Sequence, residues 1–176
     1  MKIIKQIEYS EVLDFFNKEH PTDENNPHFA GNKWGKMHLD WANTDASGIW
    51  SLCELDNEDI LGLVVPFHEA EESENILVDL GGQRVGDVIL KLKDTWTKYA
   101  EENPVCWAKI MYWKGKPFSP LFLATKPVRQ GRRGKVDEKL GTLFHLDGLH
   151  RILRWGLDNR FESDEKLTAY VAGVIK

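Results

Sequence analysis

The segment Asp147-Gly148-Leu149-His150-Arg151 combines residue types that bind anions and move protons. An arginine guanidinium matches a phosphate with two parallel hydrogen bonds, and a histidine exchanges its proton near neutral pH. An aspartate can cap a helix, hold a metal ion or act as a base. The segment therefore predicts an anion site with acid–base groups, whose candidate catalytic residues are Asp147, His150 and the preceding His145.

The surrounding sequence predicts a strand over residues 143–146 and a helix over residues 149–157, so the segment lies at a strand-to-helix junction. The first N–H groups of a helix have no partner within it, and the positive end of the helix dipole lies there, which favours anion binding. Gly148 allows the backbone to approach a ligand closely or to take an unusual dihedral angle. The residues that we expect to pack this helix onto a sheet are Ile152, Leu153 and either Trp155 or Leu157.

Each residue of the segment also has an ordinary structural interpretation. An aspartate before a helix usually caps it, a glycine in a tight turn usually serves its geometry, and histidine or arginine in a first turn often lies on the surface. The clustering at one junction favours function, while a capping role for Asp147 stays open.

The remaining pattern predicts a small α+β domain with a mixed sheet and packed helices. We expect Ser10 to cap a helix that ends near His20, because the residue before Pro21 disfavours the helical region. The clearest amphipathic helix runs from Val85 to Tyr99. Further helices are predicted around residues 34–41 and 106–110, and strands over residues 49–55, 60–67, 121–124 and 167–171.

The composition suits a chain that buries a core: 41% of its 176 residues are hydrophobic and 29% are charged. The formal charge of -5 argues against a dedicated nucleic-acid binder. No stretch reaches the roughly 18 apolar residues of a membrane helix, and the N-terminus lacks a signal-peptide pattern, so we expect a cytoplasmic protein without membrane contact. Cys53 and Cys106 lie far apart and are predicted to be buried thiols.

The motif and the order of its elements resemble the ParB/sulfiredoxin-like superfamily. Residues 147–151 match the Asp-Gly-x-His-Arg signature. The order of elements between residues 117 and 173 also matches, with a proline-led strand, a loop, a strand, the motif, a helix and a closing strand. We therefore expect a single domain over residues 1–176. Residues 117–174 would form the ParB/sulfiredoxin-like core, and residues 1–116 an N-terminal α/β extension that shapes part of the pocket.

The resemblance implies nucleotide or phosphate handling at the motif. The residues that it assigns to the phosphates are Gly148, His150 and Arg151, and the N–H groups near Gly148 and Leu149 are expected to contact the same phosphates. Sulfiredoxin keeps a cysteine in this loop, and none is present here, so sulfinic-acid repair is not expected. The partition proteins carry a DNA-binding helical region after the module, where only a few residues follow in this chain. Arg132 and Arg133, in a basic loop over residues 126–139, are expected to add phosphate contacts.

The leading hypothesis is an enzyme that uses ATP or ADP with Mg²⁺ to phosphorylate a small metabolite, in a specialised biosynthetic pathway. Asp147 would carry the Mg²⁺ or orient the acceptor. The alternatives are a non-catalytic nucleotide-binding regulator and, with less support, a nucleic-acid-binding protein or nuclease. A separate metal site would join His28, His38 and Asp40 to the motif residues. Most of the tryptophans are expected in the core, with Trp34 and Trp41 as alternative walls of a pocket.

Overall fold

The computed structural model describes residues 1–21, 32–70, 75–128, 136–162 and 165–175. Within these residues, a seven-stranded mixed sheet, a two-stranded sheet and six α-helices form an α+β fold. The predicted fold class is confirmed at this level.

The helices and strands have the following bounds. The helices are α1 (Tyr9–Glu19), α2 (Lys33–Asp45), α3 (Asn57–Gly62), α4 (Val85–Glu102), α5 (Pro104–Tyr112) and α6 (Leu149–Leu157). The strands are β1 (Lys2–Ile7), β2 (Trp50–Leu55), β3 (Val64–Val65), β4 (His68–Glu69), β5 (Ile76–Val78), β6 (Gln83–Arg84), β7 (Leu121–Ala124), β8 (Phe144–Asp147) and β9 (Leu167–Ala172).

The large sheet has the strand order β1-β2-β9-β7-β8-β3-β6. Strand β7 pairs in parallel with β9 and antiparallel with β8, and β8 pairs in parallel with β3. Strands from residues 1–116 therefore flank the strands from residues 117–174 on both sides. Strand β8, which ends at the motif, lies between β7 and β3 in the sheet order, and its last residue pairs with β7.

Helices cover both faces of the sheet, because side chains alternate along each strand. On β7, Leu121 and Leu123 belong to a core shared with α4, α5 and α6, whereas Phe122 and Ala124 belong to a core shared with α1 and α2. Helix α6 packs through the fully buried side chains of Ile152, Leu153 and Trp155, as its apolar spacing predicts.

The expectation of an interior strand over residues 60–67 holds only at Val64–Val65, where β3 lies between β8 and β6, and is wrong for residues 60–62, which are helical. Asp56 and Asp59 form a capping box, in which each side chain accepts a hydrogen bond from the other residue's backbone N–H, and this starts α3. The apolar run is divided between the buried Ile60 of this helix and the two-residue strand β3. Apolar content alone does not distinguish the one buried residue of α3, Ile60, from the two buried residues of β3.

Smaller differences concern element ends. Helix α1 begins at Tyr9 after Glu8, and Ser10 lies within the helix rather than at its cap. Strand β1 was not predicted, because five of its six residues are exposed and it is held by pairing with β2. The predicted strand over residues 143–146 is shifted by one residue to Phe144–Asp147. His28, a candidate ligand of the alternative metal site, lies outside the described residues.

No helix in the described ranges combines the length and the hydropathy of a membrane-crossing segment. Of the seven tryptophans, Trp50 and Trp155 are core residues, but Trp34 and Trp96 are mostly exposed. The expectation of a largely buried set therefore holds only in part.

Candidate functional site

The motif forms a sharp turn between β8 and α6. Asp147 is the last residue of β8, and Gly148 is the helix N-cap, with a left-handed φ of 105°. The first hydrogen bond of the helix runs from the N–H of Ile152 to the carbonyl of Gly148, at 3.1 Å. The N–H groups of residues 149–151 therefore have no acceptor within the helix. The interpretation of Asp147 as the cap is wrong, because no side chain caps this helix.

The carboxylate of Asp147 connects β8 to the two N-terminal helices. His20, just after α1, lies with Nε2 3.0 Å from Oδ2, and Asn32, the N-cap of α2, donates from Nδ2 to Oδ1 at 2.6 Å. Asn32 also accepts a hydrogen bond from the N–H of Gly35, at 2.7 Å. A Cβ atom at Gly35 would lie 2.6 Å from Asn32 Nδ2 and 3.0 Å from Asp147 Oδ1. Glycine at this position therefore allows the helix to approach the carboxylate.

Opposing effects set the charge of Asp147. Burial alone would raise the pKa of this carboxyl, but the hydrogen bond from His20 and the positive charges of His20 and Arg151 outweigh it and lower the pKa below its ordinary value. Asp147 is therefore an anion at neutral pH, although it is almost completely buried.

Arg151 is buried rather than on the surface, with 2% of the residue exposed. Its Nη1 donates to the carboxylate of Glu19 at the end of α1 and to Ser119 Oγ, the latter at 2.9 Å. Nη2 lies 3.8 Å from Asp147 Oδ2. The other two donor nitrogens, Nε and Nη2, are buried and donate no hydrogen bond within the described residues.

His145, the other candidate acid–base residue on β8, lies beside this group. Burial, with the positive charges of the neighbouring His38, His68 and Arg151, outweighs the effect of Asp147 and lowers the pKa of His145 to about 3. The imidazole is therefore neutral at physiological pH. The expectation that His145 shuttles a proton near neutral pH does not agree with this environment.

The side chain of His150 contacts residues outside the motif. Its Nε2 lies 3.5 Å from the thiol sulfur of Cys106, and its ring meets that of His68 edge to face, with centroids 5.6 Å apart. The backbone of His150 remains at the turn as the second residue of α6. The structure thus separates the motif into an Asp147–Arg151 group and a His150 group.

Among its described members, the alternative metal site is not assembled, and His28 lies outside the described residues. Asp40 accepts hydrogen bonds from Tyr9 at 2.7 Å and Lys36 at 2.9 Å. Among the described residues, one group of side chains brings metal-ligating atoms close to one another, and it consists of His68, Cys106 and His150. This group does not include His38, Asp40 or Asp147. Arg132 and Arg133 lie outside the described residues, so their predicted phosphate contacts stay a prediction.

Four residues that sequence reasoning missed complete the Asp147–Arg151 group. They are Glu19, His20, Asn32 and Ser119. The only local signals were the end of a helix before Pro21 and a polar residue before the next helix, and neither indicates contact with residues 147–151.

The sequence matches a family of unknown function, DUF6309, over residues 1–176. The chain belongs to this family. No curated protein and no solved structure matches it.

Proposed function

We propose that this DUF6309 protein is a nucleotide-dependent phosphotransferase that acts on a small metabolite and holds the nucleotide phosphates at the β8–α6 turn. The observation that carries the proposal is the buried guanidinium of Arg151, whose Nε and Nη2 lack an acceptor in the described residues. Buried donors without a partner are rare because each costs free energy. A phosphate is a suitable acceptor, since it accepts two parallel hydrogen bonds from one guanidinium edge.

The turn supports this assignment in two further ways. A Cβ atom at Gly148 would lie 2.6 Å from Nε and 3.0 Å from Nη2 of Arg151, so glycine keeps the space beside that edge clear. The helix N-terminus adds backbone N–H donors and the positive end of the dipole. The ion pair with Glu19 uses Nη1, on the other side of the guanidinium. The proposed phosphate contacts of His150 are limited to its backbone N–H.

Charge balance argues for a cation beside the nucleotide. Glu19 and Asp147 both lie near the single guanidinium of Arg151, which disfavours a polyphosphate without counter-ions. Asp147 fits Mg²⁺ poorly as a direct ligand, because both of its oxygens already interact with His20 and Asn32 and octahedral coordination needs space. We therefore propose that Mg²⁺ accompanies ATP or ADP through the phosphates, and that Asp147 orients His20 and Asn32.

We also propose that residues 117–174 form a ParB/sulfiredoxin-like core. Between residues 117 and 174 the elements follow the order β7, β8, turn, α6, β9, with β7 between β8 and β9 in the sheet. This order agrees with the ParB/sulfiredoxin-like core that the motif implies, and the remaining strands would form its extension.

The decisive experiment measures nucleotide binding by calorimetry, with and without Mg²⁺, for the wild type and Arg151→Lys. Lysine keeps the charge but loses the paired donors of the guanidinium, so we expect binding weaker by about 1.5–3 kcal/mol. Arg154→Lys is the matched control, because Arg154 is also buried on α6 but pairs locally with Asp158. Equal affinity of wild type and a folded Arg151→Lys protein would contradict the proposal.

A non-catalytic nucleotide-binding regulator is the second candidate. The engagement of both Asp147 oxygens by neighbouring side chains favours it, because such a carboxylate is poorly placed to accept a proton from an acceptor. Incubation of the protein with ATP or ADP and a metabolite mixture separates the two candidates. Phosphorylated product that is lost in Arg151→Lys supports the kinase, whereas tight binding without turnover supports the regulator.

A further inference from the structure

Three side chains with metal-ligating atoms meet behind the β8–α6 turn. They are His68 of β4, Cys106 of α5 and His150 of α6, and one ligating atom from each lies within 4.8 Å of the others. Cys106 is fully buried, while both histidines are partly exposed. The cluster therefore lies at the rim of the core, where three elements converge.

We propose that this cluster binds one divalent cation of the zinc class. Of the site residues that the sequence predicts, only His150 would contact this ion. Imidazole nitrogen and thiolate sulfur are the ligands that such ions prefer. With Zn–N of 2.0–2.1 Å and Zn–S of 2.3 Å, a tetrahedral site requires an N–S separation of about 3.5 Å. The separation between His150 Nε2 and Cys106 Sγ is 3.5 Å.

The sulfur of Cys106 is positioned by helix α5 and by a neighbouring hydroxyl group. Cys106 lies in the first turn of α5, where the helix dipole stabilises a negative charge. Tyr99 Oη donates a hydrogen bond to the sulfur at 3.1 Å, and such partners of metal ligands orient them and tune their affinity. The ligating atom of His68 lies at most 4.8 Å from those of Cys106 and His150. A tetrahedral zinc site needs about 3.4 Å between ligand atoms, so His68 completes the site by a side-chain movement of at most roughly 1.5 Å.

A bound ion would connect β4, α5 and α6. Three protein ligands leave a fourth coordination position for water or a small molecule, as in catalytic zinc sites. The cluster shares only the residue His150 with the nucleotide proposal, and it uses the side chain rather than the backbone. The inference stands whether or not the turn binds a nucleotide.

The test uses the full chain, stripped of metal with a chelator and titrated with Co²⁺ and Zn²⁺. We expect one ion per chain by elemental analysis, and a thiolate-to-cobalt charge-transfer band in the near ultraviolet. Cys106→Ser should abolish the band and weaken binding by more than about 100-fold, since loss of a mere partner of a ligand already costs 10–100-fold. Cys53→Ser is the control, because Cys53 is equally buried but lies on β2.

Two results would overturn the inference: absence of the band in the wild type, or the same band in Cys106→Ser. Circular dichroism of the metal-free proteins shows whether each variant folds. If Cys106→Ser does not fold, His68→Gln replaces it, with an expected loss of at least about 10-fold in affinity. Unchanged affinity in folded His68→Gln would also reject the site.

Discussion

The guanidinium of Arg151 lies against the backbone of Gly148, three residues before it. A Cβ atom at position 148 would be 2.6 Å from Arg151 Nε and 2.9 Å from Leu121 Cδ2, and the φ of Gly148 is 105°. Both conformation and space therefore require glycine here. The same residue shapes the turn and allows the Nε–Nη2 edge of the buried guanidinium to lie against the backbone of the turn.

Gly148→Ala is expected to lower the free energy of unfolding by roughly 1–3 kcal/mol, the cost of holding a residue with a side chain in a strained conformation. Urea denaturation measures the change. Gly62→Ala is the matched control, because Gly62 is helical with nothing within 4 Å of an added Cβ, so stability should stay equal or rise by up to about 1 kcal/mol. Wild-type stability of Gly148→Ala would show that the turn tolerates a side chain.

Local patterns were sufficient for the elements around the turn but not for the site itself. Apolar periodicity predicts α6 and β7 with the bounds that the structure shows. The partners of the motif are different: Asn32 is 115 residues from Asp147, and Glu19 is 132 residues from Arg151. Contacts over such separations depend on how the strands and helices are arranged in space. The periodicity of apolar residues within one element does not predict this arrangement. The spacing of Asp56 and Asp59 is typical of a capping box, but the apolar run after it predicts a strand.

His145 is expected to make the protein less stable in mild acid. Its pKa of about 3 in the folded state lies below the ordinary 6.5, so the unfolded chain binds a proton that the folded chain does not. Stability is then lost as pH falls from about 6.5 towards 3, by roughly 1–2 kcal/mol between pH 7 and pH 5. His145→Gln should show a smaller loss over this range. Nuclear magnetic resonance gives a direct check, since a midpoint near 6.5 for His145 would contradict the prediction.

The contribution of Asp147 to stability is expected to change with pH in a more acidic range than that of His145. The folded-state pKa of Asp147 is below the ordinary value, so the contribution is present above about pH 4 and is lost as pH falls through the folded pKa. Asp147→Asn should be less stable than the wild type at pH 7, and the difference should shrink below pH 4. Denaturation curves at pH 7, 5 and 3 measure this. A difference that is constant with pH would mean that the charge of Asp147 does not contribute.

Tyr99→Phe tests the partner of the proposed metal ligand. Loss of the hydroxyl removes its hydrogen bond to Cys106, so zinc affinity should fall by about 10-fold or more, with the cobalt charge-transfer band retained because the thiolate remains. Tyr112→Phe is the control, as Tyr112 is mostly exposed at the end of α5. Equal zinc affinity in both variants would remove Tyr99 from the site.

The position of β9 in the sheet has a consequence for synthesis of the protein. Strand β9 lies between β2 and β7, but β2 ends at Leu55 and β9 begins at Leu167. At a translation rate of 5–20 residues per second, β2 is complete on the order of ten seconds before its central neighbour leaves the ribosome. During that interval, the edge of β2 that will pair with β9 is exposed in the nascent chain, and open edges of this kind pair readily with other chains. This edge of β2 therefore stays without its partner strand until β9 has been made.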